Sequence, residues 1–410
     1  MASDILRQVE DAEKSLIGLR RHLHENPELS GYEFQTLEFI RDSLTRLGIP
    51  FVEHPFGGIL GFIENGSSDR TVLLRGDMDA LPITELTQNL VRDKEVVSKN
   101  DGVAHMCGHD AHTAMLLTTA KILLDNIELI DGKIILCFER AEEGGGPDGK
   151  YGARALFPYF DEKNYKIDSV FAIHVNPHID AGLISANEGG VMAGGSGFSV
   201  TLTGRSGHGS RPDEANHPLD CFVAIYQAIT ALRLKHISPF TPLTIAVPVV
   251  HTGFVGNVID ETLTFSGSAR FLHPEAGERF VAAFKNIVEH TAAAYNCTYT
   301  LEGLFSGLPV INSAEESRIA RDAIVKYAGA EHLTSSEPLM ASEPMSTYIQ
   351  RYTGVLAFLG IRNREYGSGA ELHSARFDID ESSLKYGVAA YVGYALDSLP
   401  AGKEPGDAKA

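Results

Sequence analysis

Between Gly197 and Gly303 the chain reads strand, helix, strand, strand, helix, strand, and this order restricts its fold more than any other stretch. Strands are expected at residues 197–203, 243–250, 262–271 and 298–303, and helices at 218–234 and 275–295. The βαββαβ order is the split βαβ arrangement. About one hundred residues are enough for a domain of its own. Gly189-Gly190 and Gly194-Gly195 flank a short linker just before it. A chain of 410 residues is also too long for one core. The expected organisation is therefore an outer domain in two parts, 1–188 and 304–410, interrupted by an inserted domain at 189–303.

The outer parts alternate helices with short apolar runs. Ile5, Val9, Leu16, Leu19 and Leu23 have helical spacing and predict a surface helix over 4–24 that ends near Pro27. A second helix is expected over 32–47, stopped by Gly48. Apolar runs follow at 58–63 and 71–74, and the latter enters Arg75-Gly76-Asp77-Met78-Asp79. Carboxylates at the end of a strand are a common site geometry in open α/β sheets, although most such acids are simply solvated. A helix over 110–125, a strand over 133–138 leading into Glu142-Glu143-Gly144, and a strand over 168–173 that ends at His174 complete the first part. After the insertion come helices at 313–327 and 343–351, a strand at 355–359, a Gly-rich loop holding His373, and a last helix over 381–399. The polar tail, 400–410, is expected to fray.

Charge and cysteine usage exclude several partners. With 35 Lys and Arg against 54 Asp and Glu, the net charge of -19 argues against nucleic acid. No apolar run reaches membrane-spanning length. Cysteines at 107, 137, 221 and 297 form no CxxC pair and suggest no disulfide framework. The first residues lack the basic-then-apolar pattern of a signal peptide. A reduced, cytoplasmic protein is the expectation.

Chemistry concentrates in His105-Met106-Cys107-Gly108-His109-Asp110-Ala111-His112. In extended backbone, residues two apart point the same way, so Cys107 and His109 would face one point, and both are good zinc-type ligands. Alone, the pair fits equally a buried thiol beside a surface imidazole. Of the neighbouring glutamates Glu142 and Glu143, one can bind metal while the other works as a base.

The ordered segments RRHLHENPELSGYEFQT, RGDMDALPI, HMCGHDAHTA, AEEGGG, IHVNP, GHGSRP, GNVI and LHSARFDIDE extend from Arg20 to Glu381. As a set they resemble the M20 metallopeptidase family, in particular the branch of aminoacylases, hippurate hydrolases and auxin-conjugate hydrolases. The resemblance implies an α/β catalytic domain, with a mixed central sheet flanked by helices, and a smaller α+β lid or dimerisation domain. It makes Cys107, His109, Glu143, His174 and His373 the ligands of two divalent ions, zinc or manganese, with Cys107 bridging. Glu142 becomes the general base and acid, and Asp79 orients a ligand imidazole. His208 reaches the partner subunit's site as an oxyanion stabiliser, which implies a homodimer. Asn257 and Arg270 bind the carboxylate of a small-molecule substrate. Asp77, His105, His112 and His251 receive no role.

The implied activity is hydrolysis of the amide of N-acyl amino acids. Two departures from relatives, Glu139-Arg140-Ala141 for Gln-Pro-Ala and Ser342-Glu343-Pro344-Met345 for Glu-Asp and an aromatic, are expected on the substrate side. They keep a second reading open, removal of nitrogen from an aryl amine or similar C–N bond. A third is a non-catalytic metal-binding homologue, against which the intact Glu142 argues.

Overall fold

A mixed eight-stranded sheet frames the larger unit, in the order Phe51–His54, Gly58–Asn65, Gly132–Glu139, Thr71–Asp77, Ser169–Asp180, Gly354–Arg362, Ile184–Ser185, Leu333–Thr334. The computed structural model describes residues 2–144, 146–235, 237–238 and 240–401, so the tail beyond 401 lies outside the described residues. Thr71–Asp77 pairs in parallel with both Gly132–Glu139 and Ser169–Asp180, and Gly354–Arg362 runs parallel to Ser169–Asp180. Parallel strands covered on both faces need apolar residues on both. Accordingly Thr71–Asp77 is buried throughout, and Gly132–Glu139 everywhere except Lys133. Gly58–Asn65 and Phe51–His54 continue the sheet antiparallel.

Helix Ala2–Glu25 turns Ile5, Val9, Leu16 and Leu23 into the core and packs against His109–Asp125 and Leu384–Ser398. Each such side chain contributes about 1.5–3 kcal/mol of transfer free energy. Phe34–Leu47 ends where Gly48 adopts φ 72°, a left-handed conformation that glycine takes without strain. His109–Asp125 is buried along nearly its whole length, so its pattern reads as continuously apolar rather than amphipathic. One expectation is corrected here. The strand expected to end at His174 continues to Asp180, because its later residues pair with Gly354–Arg362 as far as Asp180. His174 therefore projects from mid-strand.

The smaller unit holds an antiparallel sheet ordered Leu243–His251, Thr262–Phe271, Gly194–Thr203, Thr298–Glu302. Helices Pro218–Lys235 and Pro274–Ala294 close its core, in which Phe198 lies 4.4 Å from Phe284. This unit covers 190–311 and also 337–346, whereas residues 304–311 and 337–346 were expected in the outer domain. Backbone pairing explains the difference. Gly307 N donates to Gly195 O, Leu339 N to Val191 O, and Ala193 N to Leu339 O, at 2.9–3.0 Å. No described helix is long and apolar enough to cross a membrane.

Candidate active site

Cys107 and His109 meet, but not through extended backbone. Gly108 sits at φ 88°, and a Cβ there would lie 2.4 Å from Val175 Cγ2, so only glycine fits. That turn aims Cys107 across at the sheet and lets His109 open the buried helix His109–Asp125. Cys107 Sγ lies 3.5 Å from Nε2 of His174, which arrives from the neighbouring strand.

Each imidazole has its protonation pattern set by the partner of its other nitrogen. His174 Nδ1 faces the Val175 carbonyl at 2.7 Å. A carbonyl only accepts, so Nδ1 carries the hydrogen and Nε2 presents a lone pair toward Cys107. His109 Nδ1 donates in the same way to Asp79 Oδ1 at 3.2 Å. Its buried Nε2 has no hydrogen-bond partner and faces Glu142 at 3.7 Å, Asp77 at 3.8 Å and Glu143 at 3.9 Å. A buried ring nitrogen surrounded by carboxylates suits a cation, a proton or a metal ion in its place, and outer hydrogen bonds of this kind hold metal-binding imidazoles in register. His112 is different. Its Nδ1 donates to Asp77 at 2.7 Å and its Nε2 accepts from Val175 N at 3.0 Å, so both nitrogens are used. Burial pushes its pKa down to about 4, outweighing Asp77. His112 is thus a neutral tie between the helix and the strand that bears His174.

The glutamates are presented by a constrained turn. Ala141 has φ 52°, uncommon for a residue with a Cβ. Asp79 takes Glu142 N on Oδ1 at 3.1 Å and Glu143 N on Oδ2 at 3.0 Å, and Ser30 Oγ donates to Oδ2. One buried carboxylate thus fixes His109 and both glutamate amides. Asp79 was open to a reading as a solvated loop acid; its complete burial removes that reading. His373, at φ 63°, is anchored by its amide to the Met106 carbonyl and brings Nε2 within 3.1 Å of Glu143 Oε1.

Electrostatics favour a cation here. Burial pushes the Cys107 thiol well up, against the pull of His109. Burial drives His109 down, but Asp77 and Cys107 outweigh it and hold its pKa well above the ordinary value. Burial raises the Glu143 pKa, yet its bond with His373 brings it below the ordinary value. The donor atoms form two trios that share the sulfur, Cys107–His109–His174 and Cys107–Glu143–His373, each within 4.8 Å. Glu142 joins His109 and Glu143 in a third. The residues present therefore fit a pair of divalent ions with sulfur, nitrogen and oxygen donors.

His208, Asn257 and Arg270 lie in the smaller unit. His208 is exposed, and its Nδ1 accepts from the Ser210 amide and hydroxyl. It pairs with Val258, directly after Asn257, whose carbonyl accepts from Gly209 N at 2.8 Å. Arg270 is at the other end of strand Thr262–Phe271, opposite Gly195. At about 3.3 Å per residue Arg270 is roughly 26 Å along the strand from Thr262, the end that follows Asn257, so one small unit does not bring Arg270 together with His208 and Asn257. Arg270 is half-buried and makes no ion pair among the described residues. Its guanidinium lies over Gly195, where a Cβ would come within 2.3 Å of it and 3.0 Å of Ser342 Oγ.

The sequence profile of peptidase family M20/M25/M40 matches residues 73–397. This chain belongs to that family. It is 32% identical to thermostable carboxypeptidase 2 of Saccharolobus solfataricus over 97% of this chain and 98% of that protein. It is 30% identical to IAA-amino acid hydrolase ILR1-like 5 of Arabidopsis thaliana, over 96% of this chain and 89% of that one. A crystal structure from methicillin-resistant Staphylococcus aureus, assigned as an aminohydrolase, superposes with a TM-score of 0.86 at 27% identity, covering 97% of this chain and 100% of that one. As an M20 family member the chain is a metal-binding hydrolase of amide bonds.

Sequence reasoning missed the supports beneath this family site. Glu139 was expected toward substrate but is fully buried. It accepts from Arg75 Nε at 2.8 Å, Tyr348 Oη at 3.1 Å and the Ala153 amide at 2.7 Å. Arg140, expected there too, is buried against Glu33. On the other side Arg20 joins Asp110 at 2.7 Å and Glu381 at 3.2 Å, while His24 links Asp110 to Glu85. Charged residues inside the apolar spacing of Ala2–Glu25 were the available signal.

Proposed function

We propose that this chain hydrolyses the amide bond of N-acyl amino acids at a centre of two divalent ions. The observation that carries this is the sharing of Cys107 by two donor trios with Glu142 alongside. Cys107, His109, Glu143, His174 and His373 would hold the ions; the thiolate favours zinc, and manganese is the other candidate. Bound there, two such ions acidify a water and polarise the attacked carbonyl. Glu142 takes the proton of the attacking water on its carboxylate and passes it to the departing nitrogen. Asp79 keeps His109 in its Nε2 lone-pair form and fixes the amides of both glutamates. The amino-acid product matches what the Arabidopsis relative is named for, the amino-acid conjugate of IAA.

Arg270 would hold the substrate carboxylate through its two-pronged donor set. His208 and Asn257 would serve the site of a second copy, because they lie at the opposite end of their sheet from Arg270. A homodimer follows from that assignment. Its support is the outer edge of Leu243–His251, unpaired among the described residues, beside a cavity of about 310 Å³ lined by Tyr226, Ile229, Arg233, Leu234 and Val247. Four free, buried cysteines suit a reducing cytoplasm. The aminohydrolase assigned for the staphylococcal structure favours attack on another C–N bond as the second reading.

The test is release of free amino acid, followed by mass spectrometry. Purified protein with added zinc or manganese meets a panel of N-acetyl, N-benzoyl and long-chain N-acyl amino acids, with Glu142→Gln as control. Product from wild type but not from the variant supports the proposal. No product from metal-loaded wild type overturns it and turns the search to aryl amines.

A further inference from the structure

We infer that Glu33 and Arg140 form a positioning pair that sets the turn presenting Glu142 and Glu143, an inference that rests on the amidohydrolase reading above. Both residues are buried, at 0% and 3% exposure. Glu33 Oε2 accepts from Arg140 Nε at 2.9 Å and Nη2 at 2.8 Å. Its other oxygen, Oε1, accepts from the amides of Ala141 at 2.8 Å and Gly31 at 2.9 Å. The remaining donors of Arg140 end on the carbonyls of Gly31, at 2.9 Å, and Pro55.

The consequence lies in the run of amides. Ala141 N ends on Glu33, and Glu142 N and Glu143 N end on the two oxygens of Asp79. Three successive amides are thus held by two buried carboxylates, neither of them in the turn itself. Ser30, bonded to Asp79, is three residues before Glu33. The segment Ser30-Gly31-Tyr32-Glu33 therefore acts as a template against which the turn is shaped. Left-handed Ala141 persists only where its surroundings over-determine it.

Stability alone does not account for such a pair. A buried ion pair is commonly no more stabilising than well-packed apolar residues of the same volume. What an apolar pair cannot supply is a directed acceptor for Ala141 N–H and a second anchor for that acceptor. Among the described residues none of the pair's hydrogen bonds goes to a side chain of Cys107, His109, Glu143, His174 or His373, so its effect passes through the direction of Glu142.

Arg140→Met, Glu33→Gln and the conservative Arg140→Lys are compared with wild type, each checked for fold and zinc content. Two quantities are read: hydrogen exchange of a peptide covering residues 139–144, and kcat and KM on whichever N-acyl amino acid wild type cleaves. Exchange about tenfold faster in Arg140→Met, with kcat reduced about 10–100-fold and KM within twofold at full zinc content, is the expected result. Arg140→Lys should recover part of both. Folded, zinc-replete Arg140→Met with wild-type exchange or wild-type kcat overturns the inference. So does activity lost only in proportion to unfolded protein. Should wild type cleave nothing, the amidohydrolase reading fails by itself, while exchange, which needs no turnover, still decides the role of the pair.

Discussion

Asp79→Asn tests how much of the centre hangs on one carboxylate. Its Oδ1 serves His109 Nδ1 and the Glu142 amide, and its Oδ2 serves Ser30 Oγ and the Glu143 amide. An asparagine keeps one oxygen and places an NH2 against the other two donors. With the NH2 toward His109, the Glu142 N–H is left unpaired and the imidazole must also move its hydrogen to Nε2, the nitrogen a metal ion needs. With the NH2 toward Ser30, the hydroxyl rotates to accept and only Glu143 N–H is left unpaired. The second orientation is therefore the one expected. An unpaired buried donor costs about 1–3 kcal/mol, and the bond to His109 loses roughly 1 kcal/mol of charge assistance. The expected loss in the metal-free protein is about 2–4 kcal/mol, read as a shift in urea midpoint at unchanged slope. Asp79→Ala takes the acceptor from all four donors and should lose more. Zinc affinity, measured by competition with a chelator, should fall about 10–100-fold as His109 loses its orientation. Asp79→Asn within about 0.5 kcal/mol of wild type, with unchanged zinc affinity, would refute the reasoning. So would an asparagine variant less stable than the alanine one.

Three further outcomes are expected. Glu142→Gln should bind metal as wild type does and lose about 10²–10⁴-fold in kcat, measured at saturating substrate. Gly195→Ala should raise KM about tenfold with a smaller effect on kcat, because its Cβ displaces the Arg270 guanidinium from over the strand; an unchanged KM would remove Arg270 from carboxylate binding. Glu85 supplies the pH prediction: burial raises its pKa, but bonds from His24 and Lys94 outweigh this and bring it from 4.5 down to about 2. A lowered carboxylate pKa contributes stability that is complete above pH 4.5 and lost as pH falls toward 2, on the order of 3 kcal/mol at 1.36 kcal/mol per unit. Urea midpoints of Glu85→Gln should fall less steeply than wild type over that window, and parallel curves would contradict it.

Elements were legible wherever period and punctuation agreed. Ile5, Val9, Leu16 and Leu23 marked the face that Ala2–Glu25 buries, and Gly48 marked the end of Phe34–Leu47. The α/β class came from the family resemblance rather than from periodicity. Strand ends were less legible, since the continuation past His174 depends on pairing with a strand some 180 residues later. Cys107 and His109 were legible as a pair but not in their geometry, because the left-handed turn at Gly108 and its close approach to Val175 exist only in the fold. Glu139 and Arg140 looked like substrate-side changes because sequence carries no sign of burial. Only the fold shows that Arg75 and Glu33 stand ready to pair them.

The bond between Arg20 and Glu381 spans 361 residues of chain. At about 5–20 residues per second, synthesis separates the two by roughly 20–70 s. Through that interval the N-terminal helix carries a guanidinium that has Asp110 but not yet Glu381 to pair with, and Ser169–Asp180 waits for its parallel neighbour Gly354–Arg362. The whole smaller unit is made in between. Assembly on the ribosome thus leaves an open sheet, and four of the five donors without the fifth, until His373 emerges. The sheet of the larger unit is thus completed only after the smaller unit has been made.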